Sequence, residues 1–256
     1  MCRTETTNPQ APPSSIDPDE VEKFEQSASD WWGGKKNSPL HKLNPVRLEY
    51  IAGHVSAHFG KPRQGKAPFK GLTFVDVGCG GGLLAEPMAR LGGTVTGIDP
   101  SANNIEVARA HAGESGLKID YRHASAEDLA AERAEFDVVL SMEVIEHVSD
   151  VEGYVAAAAA LVKPGGLIFF ATVNRTLKSF ALAIVGAEYI LRWLPPGTHQ
   201  HSRFVKPSEL AEQLIAAGLT IKDETGVTYN PLADRMHLSR DMDVNYMLLA
   251  EKKPAS

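Results

Sequence analysis

At 256 residues the chain is long enough to bury a full core, and a net charge of −6 with no run of Lys and Arg excludes a dedicated nucleic-acid binder. Two cysteines, Cys2 and Cys79, give no disulfide framework and suit a reducing, cytoplasmic setting. No stretch reaches the roughly 18 apolar residues of a spanning helix, and the first residues lack the apolar core of a secretion signal.

Met1 to Ile16, rich in Pro, Ser and Thr, reads as a disordered lead-in. Residues 17–70 read as an N-terminal helical extension and linker. Asp17-Pro18-Asp19-Glu20 offers an N-cap followed by proline at the first helical position, which opens a helix to about Ala28. Trp31-Trp32, ahead of Gly33-Gly34, are either core plugs or a wall over a flat ligand. The segment Pro39 to Leu48 leads into a second helix with apolar positions at Leu48, Ile51, Val55 and Phe59. Arg47 falls near the start of that helix, where the dipole disfavours a cation. Buried, it needs a carboxylate from a ligand; exposed, it forms a surface salt bridge. Lys61 to Lys70 is a basic linker.

From residue 71 to 256 strands alternate with helices. The pattern predicts strand 72–77, helix 83–91, strand 94–98, helix 101–115 capped by Ser101, and strand Lys118–Arg122. Ala124 to Leu129 follows as a pocket-side segment, then strand Phe136–Met142 and the alanine-rich helix 151–162. Pro164-Gly165-Gly166 turns the chain into strand Leu167–Thr172. An insert at about 174–206 breaks the alternation and reads as a cap over the pocket mouth. Helix Pro207–Ala217 and two antiparallel closing strands, about 219–229 and 243–250, complete the chain. This is the pattern of an α/β protein with a Rossmann-like, doubly wound, mostly parallel sheet, whose ligands sit outside the strand C-termini.

Within that frame Val75-Asp76-Val77 runs into Gly78-Cys79-Gly80-Gly81-Gly82, and the next strand ends on Asp99, 21 residues after Gly78. Backbone without Cβ admits a ligand close to the chain, and an acidic side chain one strand over accepts both hydroxyls of a ribose. A dinucleotide pyrophosphate asks for G-x-G-x-x-G, and here the sixth position is Leu83, which argues against a nicotinamide oxidoreductase. The glycine-dense loop with Asp76 just ahead suits S-adenosylmethionine, whose ammonium group a carboxylate can hold.

With these elements in place the chain resembles the class I S-adenosylmethionine-dependent methyltransferases, and more narrowly the ubiquinone-biosynthesis O-methyltransferase family. The resemblance covers Val21 to Ala250. It rests on Trp31-Trp32, Pro39 to Leu48, Asp76 to Gly82, Met142-Glu143-Val144-Ile145-Glu146-His147, Val185 to Leu191, Gly197-Thr198-His199, Tyr229-Asn230-Pro231 and Asp243 to Leu248. It implies O-methylation of ring hydroxyls on polyprenylated phenol and quinol precursors, 2-polyprenyl-6-hydroxyphenol and 3-demethylubiquinol. Carried over position by position, it puts cofactor contacts on Arg47, Gly78, Asp99 and Met142. Ser125 departs from the Asp that many class I relatives place near the adenine amino group. Two alternatives stay open: a methyltransferase for another phenol, and a non-catalytic subunit of a quinone-biosynthesis complex.

A phenol of pKa about 10 is roughly one part in a thousand ionised at pH 7, so delivering the phenolate costs about 4 kcal/mol. Glu143, Glu146 and His147 follow the fourth strand at offsets that put them on one face of a helical first turn. Two carboxylates and an imidazole can hold Mg²⁺, and the resemblance implies these three as its ligands. Alternatively His147 acts as general base beside Glu143, or the acidic residues merely suit a helix dipole. The isoprenoid tail keeps such a substrate in the bilayer, at about 0.8 kcal/mol per buried carbon. The apolar runs Phe180–Val185 and Tyr189–Leu194, flanked by Arg175, Lys178, Arg192, Arg203 and Lys206, therefore read either as a membrane-surface contact over about 178–194 or as a lid. The first reading sets the enzyme at the inner face of a bacterial cytoplasmic membrane, as a peripheral protein.

Overall fold

The computed structural model describes residues 14–26, 28, 30–33, 39–182, 184, 198 and 200–254. Three helices precede the sheet: α1 (Pro18–Gln26), α2 (Asp30–Gly33) and α3 (Pro39–His58). Then β1 (Thr73–Val77), α4 (Ala85–Arg90), β2 (Thr94–Asp99), α5 (Ala102–Glu114), β3 (Asp120–His123), α6 (Ala126–Ala131) and β4 (Phe136–Met142) alternate along the chain. They are followed by α7 (Val151–Ala160), β5 (Val162–Val173), the short α8 (Leu177–Ser179), α9 (Pro207–Ala216), β6 (Leu219–Asn230), β7 (Arg235–Ser239) and β8 (Asn245–Lys252).

The strands form one sheet in the order β3-β2-β1-β4-β5-β8-β6-β7. From β3 to β5 all neighbours are parallel, whereas β8 lies antiparallel between β5 and β6 and β7 closes the edge antiparallel to β6. This is the expected doubly wound sheet with an antiparallel C-terminal part. Period-two alternation splits the core into two layers. Phe74, Leu140, Phe169 and Leu249 face one layer together with Val46, Ile51 and Val55 of α3. Val75, Val139, Phe170 and Leu248 face the other with Tyr154 of α7 and Leu210 and Leu214 of α9. Because β2 and β4 flank β1 on opposite sides, the chain order reverses there, and a crevice opens beyond the C-terminal ends of β1 and β4.

Several elements differ from the sequence expectation. Pro39 to Leu48 is not an approach to a helix but its first half, with Pro45 inside the helix. Arg47 thus lies in the third turn rather than near the start, and the dipole argument does not apply to it. Ala126–Ala131 is a helix, because Ser125 and Asp128 form a capping box that satisfies its first N–H groups. The turn at Pro164 to Gly166 is absorbed into β5 as an irregularity of the β4 pairing. Strand β7 carries little apolar signal because it lies at the sheet edge with most of its side chains exposed. Ser15 and Ile16, assigned to the lead-in, are docked: buried Ser15 donates its N–H to Glu127 and its carbonyl accepts from the Ser149 backbone and hydroxyl. Residues 1–13 of the lead-in, and Ala183, Val185 to Gly197 and His199 of the insert, lie outside the described residues. Among the described residues no helix is long and apolar enough to cross a membrane.

Phe169 is fully buried in the middle of the sheet. Phe169→Ala should cost about 3–5 kcal/mol in urea unfolding. Leu232→Ala, at a side chain 98% exposed in the β6–β7 turn, should leave the midpoint unchanged.

Candidate active site

The glycine loop is pressed between two walls. At Gly78 φ is 69° and at Gly80 it is 51°, backbone that disfavours any side chain. A Cβ on Gly78 would stand 2.5 Å from a Val144 methyl, and one on Gly80 would run into the Trp31 indole. Asp99, at the end of β2, fastens the loop: its Oδ2 accepts the Gly80 N–H at 2.9 Å. Its Oδ1 accepts the Ser101 N–H at 2.9 Å and the Asn104 side-chain amide at 3.1 Å. Burial pushes the Asp99 carboxyl up, against the lowering pull of those same bonds. Ser101 caps α5 as expected, accepting the Asn104 N–H.

Three helix side chains hold the other side of the loop. Asn44 donates to the Leu83 carbonyl at 2.8 Å, Trp32 donates to the Gly81 carbonyl at 2.7 Å, and Trp31 donates to Asn104 Oδ1 at 2.9 Å. The two tryptophans are therefore a wall over the loop rather than core plugs, and Trp32 also stacks on His111. The Ser125 hydroxyl is engaged with Asp128, donating to its carboxylate and accepting its N–H.

Charge is buried beside this loop. Arg47, 4% exposed, donates to Glu143 Oε1 at 2.5 Å. The carboxylate that a buried Arg47 requires is thus supplied within the chain, and the surface salt bridge is set aside. Glu143 sits in the left-handed region at φ 58°, with its N–H bonded to the Ala171 carbonyl. Asp76 is buried, and its Oδ2 has no partner among the described residues. Burial raises its carboxyl to about 7, although the Ala85 N–H and the Arg47 charge pull the other way. The site thus sets a buried carboxyl oxygen, without a donor among the described residues, in the same crevice as a guanidinium paired with Glu143, groups whose chemistry complements the ammonium and carboxylate of an amino acid.

Beyond β4 the expected helical first turn is a loop followed by a 3₁₀ turn, Ile145–His147, and the three polar side chains diverge. Glu143 meets Arg47, Glu146 accepts from the Thr172 hydroxyl at 2.8 Å, and His147 Nδ1 meets Glu20 at 2.8 Å. Among the described residues no group of three metal-ligating side chains is close enough to hold an ion, so as arranged these three do not fit a magnesium site. Burial, then the Glu143 charge, raises Glu146 to about 7, and its Oε1 has no partner among the described residues. For His147 burial alone would lower the pKa, but Glu20, Glu146 and Glu143 outweigh it and raise it. The same contact, with help from Lys23, draws Glu20 down to about 2. Phe24 packs edge-on against the imidazole at 4.9 Å.

A single cavity of about 590 Å³ is lined by all of the predicted residues: Arg47, Gly78, Asp99, Met142, Glu143, Glu146 and His147. Its volume lies in the range of small-molecule sites. Glu20, which orients His147, escaped sequence reading, since an acidic residue in a first helical turn looks like a dipole partner. Nothing local announced that it would meet a side chain 127 positions away.

A methyltransferase-domain family model matches residues 50–224. The ubiquinone biosynthesis O-methyltransferase of Chelativorans sp. (strain BNC1) is 58% identical over 96% of this chain and 98% of its own. That of Mesorhizobium japonicum is 58% identical over 93% of this chain and 96% of its own. Among solved structures, magnesium protoporphyrin IX methyltransferase from Synechocystis PCC 6803 with bound SAH aligns over 90% of this chain and 94% of its own, with a TM-score of 0.64 at 18% identity. A Burkholderia thailandensis 1,6-didemethyltoxoflavin-N1-methyltransferase aligns over 95% of this chain and 93% of its own, with a TM-score of 0.58 at 19% identity.

Removing the Asp99 carboxylate should free the loop. Asp99→Ala should speed hydrogen exchange at the Gly80 amide and lower stability by about 1–3 kcal/mol, the usual cost of unpairing buried donors. Unchanged Gly80 protection would show that Trp31 and Asn44 hold the loop by themselves.

Proposed function

The chain belongs to the ubiquinone biosynthesis O-methyltransferase family and is an O-methyltransferase, and from that premise we propose that it methylates ring hydroxyls of polyprenylated precursors at the expense of S-adenosylmethionine. The acceptors in this reading are 2-polyprenyl-6-hydroxyphenol and 3-demethylubiquinol. The observation that carries it is the one cavity lined by the glycine loop, Asp99, buried Arg47 and His147, groups whose chemistry suits a nucleoside, an amino acid and a phenolic proton.

Bound there, S-adenosylmethionine supplies a methyl group on a sulfonium, open to in-line attack by oxygen. We assign the ribose hydroxyls to Asp99, the ammonium to Asp76 and the carboxylate to Arg47; Gly78 allows close approach of the backbone and Met142 walls the pocket. Support for the first three is chemical: a buried acid at the strand end, a buried carboxylate oxygen without a donor among the described residues, and a buried guanidinium. We assign His147 as the base that takes the phenolic proton. Glu20 fixes its Nδ1 and makes the ring more basic, the arrangement by which a carboxylate orients a catalytic imidazole. Glu143 lines the same cavity beside it. No step in this scheme passes through a metal, because Glu143, Glu146 and His147 would first have to leave Arg47, Thr172 and Glu20.

The proposal extends to the membrane surface that holds a prenylated acceptor, with contact through about 178–194. The described part of that stretch supports it: Phe180 and Leu182 are exposed next to Leu177, which is 85% exposed, and Leu182 also lines the cavity. A wider quinone-biosynthesis complex is compatible with this siting.

Methyl transfer from isotope-labelled S-adenosylmethionine to a short-prenyl catechol, read by mass spectrometry, tests the reaction. His147→Ala should lower kcat by about a hundred- to ten-thousandfold, with cofactor affinity by calorimetry unchanged. Turnover should survive EDTA; loss on chelation and recovery with Mg²⁺ would overturn the metal-free scheme. For the membrane contact, Phe180→Ser with Leu182→Ser should reduce co-sedimentation with anionic liposomes. Equal sedimentation would make the segment a lid only.

A further inference from the structure

We infer that Glu143 occupies the cofactor's carboxylate site in the free enzyme, so that the incoming amino-acid carboxylate must displace it from Arg47. The inference rests on the assignment of Arg47 to that carboxylate and goes beyond it by giving Glu143 a role in cofactor binding.

The starting point is the charge inventory around the loop. Arg47 is 4% exposed, and a guanidinium at that depth requires a counter-ion in every state of the protein. In the free chain Glu143 provides it, through a contact of 2.5 Å across 96 positions of sequence. Asp76 presents the opposite situation: it is 3% exposed, and its Oδ2 has no partner among the described residues. An amino-acid zwitterion therefore meets one half of its site ready and the other half taken. Its ammonium supplies the donor that Asp76 Oδ2 does not find among the described residues, while its carboxylate arrives where a carboxylate already stands. Asp76, Glu143 and Glu146 all line this cavity, and a further anion crowds them unless one moves.

Glu143 is the one built to move. It is held at φ 58° between the end of β4 and the 3₁₀ turn, a conformation that non-glycine residues adopt only when neighbouring contacts impose it. Its side chain is the more accessible member of the pair, 16% exposed against 5% for Arg47. Next to it, the Val144 methyl closes over Gly78, so the loop that carries Glu143 touches the loop that receives the cofactor. Exchange of partners at Arg47 releases the Glu143 carboxylate into the part of the cavity lined by Glu146 and His147.

Calorimetric titration of the full chain with two ligands tests this. S-adenosylhomocysteine carries the amino-acid carboxylate; 5′-methylthioadenosine keeps the adenosine and thioether and lacks it. Glu143→Gln should bind S-adenosylhomocysteine roughly tenfold tighter than wild type, within the ~5–150-fold span of coupled sites, and bind 5′-methylthioadenosine equally well. Glu143→Asp, one methylene short of Arg47, should shift in the same direction by a smaller factor and serves if the Gln variant fails to fold. No gain for S-adenosylhomocysteine, or an equal gain for both ligands, would overturn the inference. Wild type that binds neither ligand would instead overturn the cofactor assignment on which it rests.

Discussion

A hydrogen bond from the Gly80 N–H to Asp99 ties the end of β1 to the end of β2, and the site is laid out from that tie. The Cys79 N–H reinforces it by bonding to the Ile98 carbonyl at 2.9 Å. Because Asp99 also accepts from Asn104, and Asn104 accepts from Trp31, one connected network runs from strand end to helix α5 to the N-terminal segment. A glycine loop left untied would sample many conformations; tied, it presents its backbone to the cavity in one. The polar connections here position a surface and add only modestly to stability while intact, since each bond mostly replaces one made to water, whereas unpairing a buried donor carries the full desolvation cost.

The same crevice collects charges that a fold alone would avoid. Asp76 and Glu146 each bury an oxygen without a partner among the described residues, at a depth where an unpaired carboxylate is costly. Both are raised to about 7, so the protein relieves the cost by holding these groups near neutrality. Local rules broken in one place, beside a glycine loop and at a topological switch point, are the physical signature of a candidate functional site.

The N-terminal segment is part of the site and not an appendage. Asp17 pairs with Arg203 at 2.8 Å, Glu20 with His147, and Ser15 with Glu127 and Ser149, so α1 is fastened along the cavity. The sheet supplies the glycine loop and Asp99, while the helices ahead of it supply the imidazole's partner and the wall over the loop.

Much of this was legible in the chain itself. Alternating apolar strands, the glycine run and Asp99 determined the sheet and the crevice, because period, turn chemistry and the end of a strand are local properties, whereas Arg47 and Met142 were assigned to the site only through the family resemblance. Local signals failed at β7, an exposed edge strand, and at α6, six residues held by their cap. What only the tertiary structure decided is which side chain faces which. Glu143, Glu146 and His147 stand within five positions of one another, and sequence spacing set them on one helical face. The chain instead turns through a left-handed residue and a 3₁₀ turn, and each finds a partner from a distant element: Arg47, Thr172 and Glu20. Burial forces that outcome, since a charged group in an apolar crevice takes whatever counter-charge the fold brings within reach, and no local pattern records what that will be.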